Sequence, residues 1–240
     1  MTVRGGPQYI PRPASARPGE PAPWADLAPE RRRIGLDRLE ACFSGRVGAP
    51  SAVEGQEEVR PSAVLACLWE HDGNTEVLLT RRSLGLRSHR GEVAFPGGRS
   101  DPGESLVDAA LREAGEEVGL DLDTVTVLGE LDHLMTVTSR SFIVPFVALL
   151  PGRPVGLVAN PGEVDALLFT PVDELLLDEV YREERWTWPQ PPAWVGGDGA
   201  TERPIFFFEL VGDTVWGATG AMLRQLLGIA LGLDVGIDHR

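Results

Sequence analysis

The clearest hydrophobic pattern in this chain lies between residues 105 and 120. Apolar residues recur there at steps of three and four, which predicts a helix with one buried stripe. The residues of this stripe are Val107, Ala110, Leu111, Ala114 and Val118. Ser105 followed by Asp108 has the spacing of a capping box, and Gly119 is a residue type that commonly ends a helix.

Shorter apolar runs, separated by turn residues, predict the remaining elements. Strands are expected at residues 63–70, 76–82, 92–95, 125–138, 142–149, 164–170, 205–210 and 214–216. Helices are expected at residues 24–43, 171–177 and 217–231. Turns are expected at 72–74 and 96–98, and a long Trp-, Pro- and Gly-rich loop at 181–199. Strands with inserted helices predict an α+β fold, in which helices sandwich a sheet.

The length of 240 residues fits one principal domain with extensions. We expect this domain to span residues 61–235 and to carry a helix and loop, residues 24–60, packed on it. Residues 1–23 are rich in Pro and Gly, which predicts a flexible N-terminal arm.

The composition excludes several classes of function. The chain has 36 acidic and 22 basic residues and a formal charge of −14, whereas nucleic-acid-binding proteins usually carry a basic surface. Every basic residue is an arginine, which excludes a P-loop lysine and a Schiff-base lysine. Cys42 and Cys67 have no paired spacing, so neither a disulfide framework nor a zinc site is expected.

The sequence shows no targeting or membrane segment. The N-terminus lacks an apolar core, and no apolar run approaches the ~20 residues that a membrane helix needs. We therefore expect a cytoplasmic protein without a membrane partner. A small-molecule substrate is the expected partner, and a homodimer stays open.

Three glutamates of the predicted helix need a physical explanation. Glu113, Glu116 and Glu117 stand at i, i+3 and i+4, so a helix places their like charges on one face. A divalent cation among them would remove the repulsion, and oxygen ligands suit Mg²⁺ or Mn²⁺, above all when a phosphate substrate adds ligands. A solvated acidic face is the alternative.

The residues around this helix have the spacing of a known signature. Gly98, five residues, Glu104, seven residues and Arg112 are followed by the run Glu-Ala-Gly-Glu-Glu-Val-Gly-Leu of residues 113–120. This segment resembles the Nudix box, G-x5-E-x7-R-E-U-x-E-E-x-G-U, where U is a bulky aliphatic residue, and departs from it at Ala114. The resemblance implies a hydrolase with a mixed β-sheet between helices, in which the box forms a loop-helix-loop.

The resemblance also implies roles for individual residues. The expected metal ligands are three carboxylates and a backbone carbonyl of one preceding glycine: Glu113, Glu116, Glu117, and Gly97 or Gly98. Arg112 is expected to pair with Glu104 and so to orient the loop. Glu113 is the first candidate for the general base, and Glu163, in a later loop, is the second.

The segment before the box reverses the charge of this acidic chain. It contains Arg81, Arg82, Arg87 and Arg90 and no acidic residue among them. Guanidinium groups can bind phosphate oxygens in pairs, whereas surface solubility or ion pairing with the chain's own carboxylates is the alternative. Residues 78–98 resemble the coenzyme A diphosphatase signature of Nudix proteins, L-L-T-x-R-[SA]-x3-R-x3-G-x3-F-P-G-G, and fill it without a gap.

This second resemblance implies hydrolysis of coenzyme A to 3′,5′-ADP and 4′-phosphopantetheine. The candidate substrate-binding residues are Arg81, Arg82, Arg87, Gly97 and Gly98. Two alternatives stay open: hydrolysis of another nucleoside diphosphate derivative, such as ADP-ribose or a dinucleotide, and a Nudix module that senses a nucleotide without cleaving it. Trp186, Trp188 and Trp194 either stack on an adenine or pack within the protein.

Overall fold

Two β-sheets and four α-helices account for the fold of the residues that this computed structural model describes, 3–50, 60–136, 141–187 and 202–236. The strands are β1 (Arg17–Pro18), β2 (Arg60–His71), β3 (Asn74–Arg82), β4 (Val93–Ala94), β5 (Gly97–Arg99), β6 (Thr126–Glu130), β7 (Leu134–Met135), β8 (Ser141–Leu149), β9 (Val164–Pro171), β10 (Tyr181–Thr187), β11 (Glu202–Glu209) and β12 (Thr214–Trp216). The α-helices are α1 (Leu36–Phe43), α2 (Leu106–Val118), α3 (Val172–Leu175) and α4 (Gly217–Ala230).

The larger sheet is mixed and is built around β2. This strand pairs antiparallel with β3 and β5 and parallel with β8, and β9 pairs with β3. Asp72 and Gly73 form the turn between β2 and β3 with positive φ angles of 49° and 78°, a conformation that Asp-Gly pairs favour in two-residue hairpins. The turn expected at 72–74 is thereby confirmed, and a mixed sheet with helices packed on it confirms the α+β fold.

The helix predicted from the apolar stripe is α2, and both predicted caps are present. The Oγ of Ser105 accepts a hydrogen bond from the backbone N–H of Asp108 at 3.2 Å. Gly119 ends the helix with a φ of 67°, a left-handed conformation that glycine adopts without strain. The apolar stripe packs on one face of the larger sheet, in a core that includes Ala110, Ala114, Val118, Leu65 and Leu78.

The opposite face of the larger sheet is covered by α1, α4 and the smaller sheet, in which the strands run in the order β1-β10-β11-β12. Alternate side chains of β3 show this division, since Val77 and Leu79 belong to this second core and Leu78 to the core under α2. Across the described ranges, none of the helices has the length and apolar character needed to cross a membrane. The cytoplasmic location stays a prediction.

Residues 3–23 lie along the smaller sheet. The strand β1 pairs with β10, the N–H of Gly5 donates to the carbonyl of Leu210 at 2.7 Å, and Arg12 forms a 2.7 Å ion pair with the buried Glu184. The composition of this segment predicts a flexible arm. The contacts differ from that expectation because Arg12 and Arg17 pair with carboxylates of the smaller sheet. The domain boundaries at residues 23 and 60 stay predictions.

Two expected elements are each divided in two in the structure. The helix expected at 24–43 is a 3-10 turn, Pro29–Arg32, followed by α1, because the extended Gly35 separates the two. The strand expected at 125–138 is the two strands β6 and β7, with residues 137–138 outside the described part. Asp132 lies between these two strands, and its carboxylate accepts a hydrogen bond from Nε2 of Gln225 in α4 at 2.6 Å.

Two segments that the sequence predicts as turn and loop are strands. The strand β5 lies so close to β2 that a Cβ on Gly97 would be 2.3 Å from the carbonyl oxygen of Ala63. The strand β10 occupies the first part of the expected loop at 181–199, because its glutamates are buried beside arginines instead of lying in solvent. Residues 188–199 lie outside the described residues.

Candidate active site

The acidic side of α2 faces β5 and the end of β3. Glu117 is 4% exposed, and its Oε2 accepts a hydrogen bond from the N–H of Gly97 at 3.1 Å. The Nη1 of Arg82 lies 3.6 Å from the Oε1 of the same carboxylate. The hydrogen bond and the nearby guanidinium compensate in part for the burial of a carboxylate.

Glu113 occupies the space that a side chain at residue 98 would take. A Cβ on Gly98 would lie 2.5 Å from the Cδ of Glu113 and 2.6 Å from each carboxylate oxygen. The requirement for glycine is therefore steric at this position, since residue 98 has to leave room for the carboxylate. Gly97 and Gly98 thus bring the backbone of β5 against two of the three predicted metal ligands.

Arg112 connects the loop before α2 to two glutamates of the helix. Its Nε and Nη2 donate to the two carboxylate oxygens of Glu104 at 2.8 and 3.1 Å. Its Nη1 lies 3.0 Å from an oxygen of Glu113 and 3.0 Å from an oxygen of Glu116, and its Nη2 also donates to the carbonyl of Arg99 at 3.0 Å. The predicted pairing of Arg112 with Glu104 is present, and it ties the loop to the first and second glutamates.

Burial and mutual repulsion perturb the acids of this site. Burial is the main cause that raises the pKa of Glu117 to about 7, and the charges of Glu113 and Glu163 raise it further. The pKa of Glu113 is also raised, by burial first and then by Glu116 and Glu163, against the opposing effect of Arg112. The Arg112 hydrogen bond lowers the pKa of Glu104. Glu163 is thus within electrostatic reach of both helix glutamates.

The donor set suits a hard divalent cation, because it consists of carboxylate oxygens whose repulsion such an ion would relieve. Within the described residues, no three His, Cys, Asp or Glu side chains converge as ligands of a metal ion. Arg112 contacts Glu113 and Glu116, and the Nη1 of Arg82 lies 3.6 Å from Glu117. The chemistry of the three glutamates therefore fits a divalent metal ion.

The loop that carries Glu163 is fixed against α2 and the end of β3. The N–H of Asn160 donates to the carbonyl of Glu117 at 2.8 Å, and the N–H of Ser83 donates to the carbonyl of Glu163 at 2.8 Å. Sequence reasoning did not predict the contact with Asn160, which uses a backbone group and leaves no residue-type signal. The structure brings Glu163 to the same side of the sheet as the helix glutamates.

The arginines of the predicted phosphate-binding segment separate into two groups. Arg82 lies beside Glu117, whereas Arg81 points to the other face of the sheet, where its Nε is 3.2 Å from Asp213 and its Nη1 is 3.5 Å from Asp165. Arg87 is exposed in the loop that follows β3. For its side chain the described residues provide neither an ion pair nor a hydrogen bond. The structure therefore brings Arg82, and not Arg81, to the carboxylates of α2.

Trp186 lies away from these carboxylates, in the smaller sheet. It is 3% exposed, and its ring centroid is 6.2 Å from those of Phe207 and Trp216. Its Nε1 donates to Glu184 at 2.7 Å. The alternative in which this tryptophan stacks on a bound adenine is therefore wrong for Trp186, and Trp188 and Trp194 lie outside the described residues.

Comparison with known proteins gives consistent results. A family model described as the NUDIX domain matches residues 59–189. Nudix hydrolase 3 of Caenorhabditis elegans is 36% identical over 212 residues, which are 82% of this chain and 86% of that protein. Nudix hydrolase NudL of Photorhabdus laumondii is 38% identical over 151 residues, 62% of this chain and 74% of that protein. A crystal structure of C. elegans Ap4A hydrolase is 22% identical over 47% of this chain and 80% of that one, and it superposes with a TM-score of 0.41.

Proposed function

This chain belongs to the Nudix family and is a hydrolase of pyrophosphate bonds, and we propose that its substrate is coenzyme A or a coenzyme A derivative. Hydrolysis of the diphosphate linkage of coenzyme A itself would release 3′,5′-ADP and 4′-phosphopantetheine.

The observation that carries this proposal is the position of the segment 78–98, which has the coenzyme A diphosphatase pattern. Arg82, near its start, lies 3.6 Å from Glu117, and Gly98, at its end, makes room for Glu113. The segment thus borders the predicted catalytic carboxylates on two sides. Arg87 and Arg90 lie exposed between these two ends. Coenzyme A carries a 3′-phosphate besides its diphosphate, so it needs more cationic partners than a simple diphosphate does.

A second observation supports an anionic ligand at Arg82. Its Nε is buried and has no hydrogen-bond partner among the residues that the structure describes. A buried donor without a partner is unfavourable, so an oxygen ligand at this place would lower the free energy of the site. A phosphate oxygen of the substrate is the partner that we propose.

Divalent metal ions such as Mg²⁺ or Mn²⁺ are generally used by Nudix hydrolases. We assign Glu113, Glu116 and Glu117 as the residues that would hold the ion here. When bound, such an ion would neutralise the diphosphate, polarise a P–O bond and lower the pKa of a bound water.

The protein's own groups supply the rest of the chemistry. Glu113 is the general base that we propose, because its carboxylate lies against Gly98 of the arginine-rich segment, and Glu163 is the alternative. Arg82 would supply positive charge to stabilise the negative charge that develops on the leaving phosphate. Arg112, through Glu104, keeps the loop before α2 against the helix and so orients Glu113.

Incubation of the purified protein and Mg²⁺ or Mn²⁺ with coenzyme A, dephospho-coenzyme A, ADP-ribose and NADH, followed by separation of the products, tests the proposal. We expect coenzyme A to have the highest kcat/KM and to yield 3′,5′-ADP. A preference for ADP-ribose or NADH would show that the substrate is another nucleoside diphosphate derivative and not coenzyme A. Equal use of coenzyme A and dephospho-coenzyme A would contradict recognition of the 3′-phosphate by the arginine loop.

A further inference from the structure

Arg81 connects two parts of the fold that both lie behind the candidate active site. Its Nε lies 3.2 Å from an oxygen of Asp213 and its Nη1 3.5 Å from an oxygen of Asp165. Both contacts are ion pairs, and the Nε makes no hydrogen bond with the described residues. Asp213 belongs to the turn between β11 and β12, whereas Asp165 is the second residue of β9. The two carboxylates therefore come from different sheets, and Arg81 is the cation between them.

Asp213 is a fixed anchor for this arginine. Its side chain is 5% exposed, and its Oδ1 accepts a hydrogen bond from Nε2 of Gln8 at 2.6 Å. Its backbone carbonyl accepts from the N–H of Leu210 at 2.8 Å, which closes the turn. The Asp213 carboxylate cannot rotate away without losing its hydrogen bond from Gln8. Its position therefore helps to fix the guanidinium of Arg81.

Asp165 connects Arg81 to the loop that carries Glu163. It follows Glu163 by two residues at the start of β9, where the pairing of β9 with β3 has an irregularity at Arg81 and Arg82. An irregular pairing leaves fewer backbone hydrogen bonds to define the position of the strand. The ion pair of Arg81 with Asp165 acts at this irregularity, next to the bond from the N–H of Ser83 to the carbonyl of Glu163.

We propose that Arg81 is a positioning residue that holds the Glu163 loop against Glu117, through the chain Asp213–Arg81–Asp165, and that it does not bind substrate. The inference rests on the proposed diphosphatase activity for its catalytic consequence. The chain of contacts from Gln8 to Asp165 gives the N-terminal segment a part in the active site, because Gln8 is the hydrogen-bond donor to the anchor.

Asp165→Asn is the sharpest variant, because Asp165 is 49% exposed and its loss leaves no fully buried charge unpaired. Asp178→Asn is its matched control, since Asp178 pairs with Arg32 at 2.6 Å and is also exposed, at 65%. Steady-state kinetics with coenzyme A and hydrogen exchange at residues 158–165 are measured for both and for Arg81→Gln. For Asp165→Asn and Arg81→Gln we expect kcat to fall about tenfold to a hundredfold with little change in KM, because displacement of a catalytic loop acts on the chemical step. We expect faster exchange of the loop amides in both variants and neither effect in Asp178→Asn.

The outcomes separate the possible roles of Arg81. A large rise in KM for Arg81→Gln, without an effect of Asp165→Asn, would show that Arg81 binds substrate and would overturn the inference. Unchanged kcat and exchange in both variants would overturn it as well. If the wild-type protein cleaves none of the diphosphates, the proposed function fails, and loop exchange in Asp165→Asn then decides the positioning role alone. If Arg81→Gln does not fold, kcat and loop exchange of Asp165→Asn test the positioning role instead.

Discussion

Arg112 binds Glu104 through two parallel hydrogen bonds, from Nε to Oε1 at 2.8 Å and from Nη2 to Oε2 at 3.1 Å. A bidentate pair of this kind fixes both the distance and the orientation of the two side chains. Since the remaining Nη1 contacts Glu113 and Glu116, the pair also determines where the acids of α2 lie relative to the loop before the helix.

Replacement of Arg112 by lysine should break most of its contacts with the three glutamates. A lysine has one compact ammonium group and cannot reach the oxygens of three glutamates together. For Arg112→Lys we expect kcat to fall about tenfold to a hundredfold, with a smaller change in KM. The matched control is Arg17→Lys, because Arg17 forms a bidentate pair with Glu202 on the smaller sheet. Equal kcat values for the wild type and Arg112→Lys would rule out the orienting role.

Removal of single carboxylates tests the metal assignment. We expect Glu116→Gln and Glu117→Gln each to weaken Mn²⁺ binding in titration calorimetry and to lower turnover about a hundredfold or more, because a neutral amide is a poor ligand for a hard cation. Glu40→Gln, at an exposed residue of α1, is the control. Normal Mn²⁺ affinity in both site variants would refute the ligand assignment, and no metal uptake by the wild type would refute the metal site itself.

The raised pKa of Glu117 predicts a pH-dependent stability. The folded-state pKa of about 7 lies above the ordinary value of 4.5, so the folded protein binds this proton more tightly than the unfolded chain does. Ionisation of Glu117 therefore lowers the free energy of unfolding as pH rises through that interval, by on the order of 3 kcal/mol. In metal-free protein, the Tm of Glu117→Gln should rise relative to the wild type between pH 5 and pH 8. A difference in Tm that does not change with pH would disprove this.

Gly98 gives a steric test of the position of Glu113. A methyl group at residue 98 would overlap the carboxylate, with the Cβ at 2.5 Å from its Cδ. We expect Gly98→Ala to lower kcat about a hundredfold through displacement of Glu113, while the fold is retained. Gly152→Ala is the control, because nothing lies within 4 Å of a Cβ at that glycine. Wild-type kinetics for Gly98→Ala would show that Glu113 can move without loss of function.

The exposed arginine loop should affect substrate recognition more than chemistry. For Arg87→Ala we expect KM for coenzyme A to rise about tenfold with kcat nearly unchanged, as for loss of one charge-assisted hydrogen bond. The rise should be smaller with dephospho-coenzyme A if Arg87 binds the 3′-phosphate. Arg31→Ala, at an exposed arginine of the 3-10 turn, is the control. An unchanged kcat/KM for coenzyme A would exclude Arg87 from the binding site.

Features that depend on near neighbours in the chain could be predicted from the sequence. The bounds of α2, its serine and glycine caps and the Asp-Gly hairpin all follow from interactions within a few residues. The pairing of Arg112 with Glu104 was predicted from the resemblance to the Nudix box, in which Glu104 precedes α2 and Arg112 lies within the helix. The strand β10 was not predicted, because it begins a segment, 181–199, whose Trp, Pro and Gly content is typical of a loop. Its Glu184 is buried against Arg12, a partner from a distant part of the chain.

The sequence by itself determined the helix, its three aligned glutamates and the arginine-rich segment before it, because each depends on spacing along the chain. Only the tertiary structure decided which of the adjacent arginines reaches the acids. Successive side chains of a strand point to opposite faces. Because α2 packs on one face of β3, Arg82 lies beside Glu117. Because the smaller sheet packs against the other face, Arg81 forms an ion pair with Asp213, a residue that is distant in the chain and close in space.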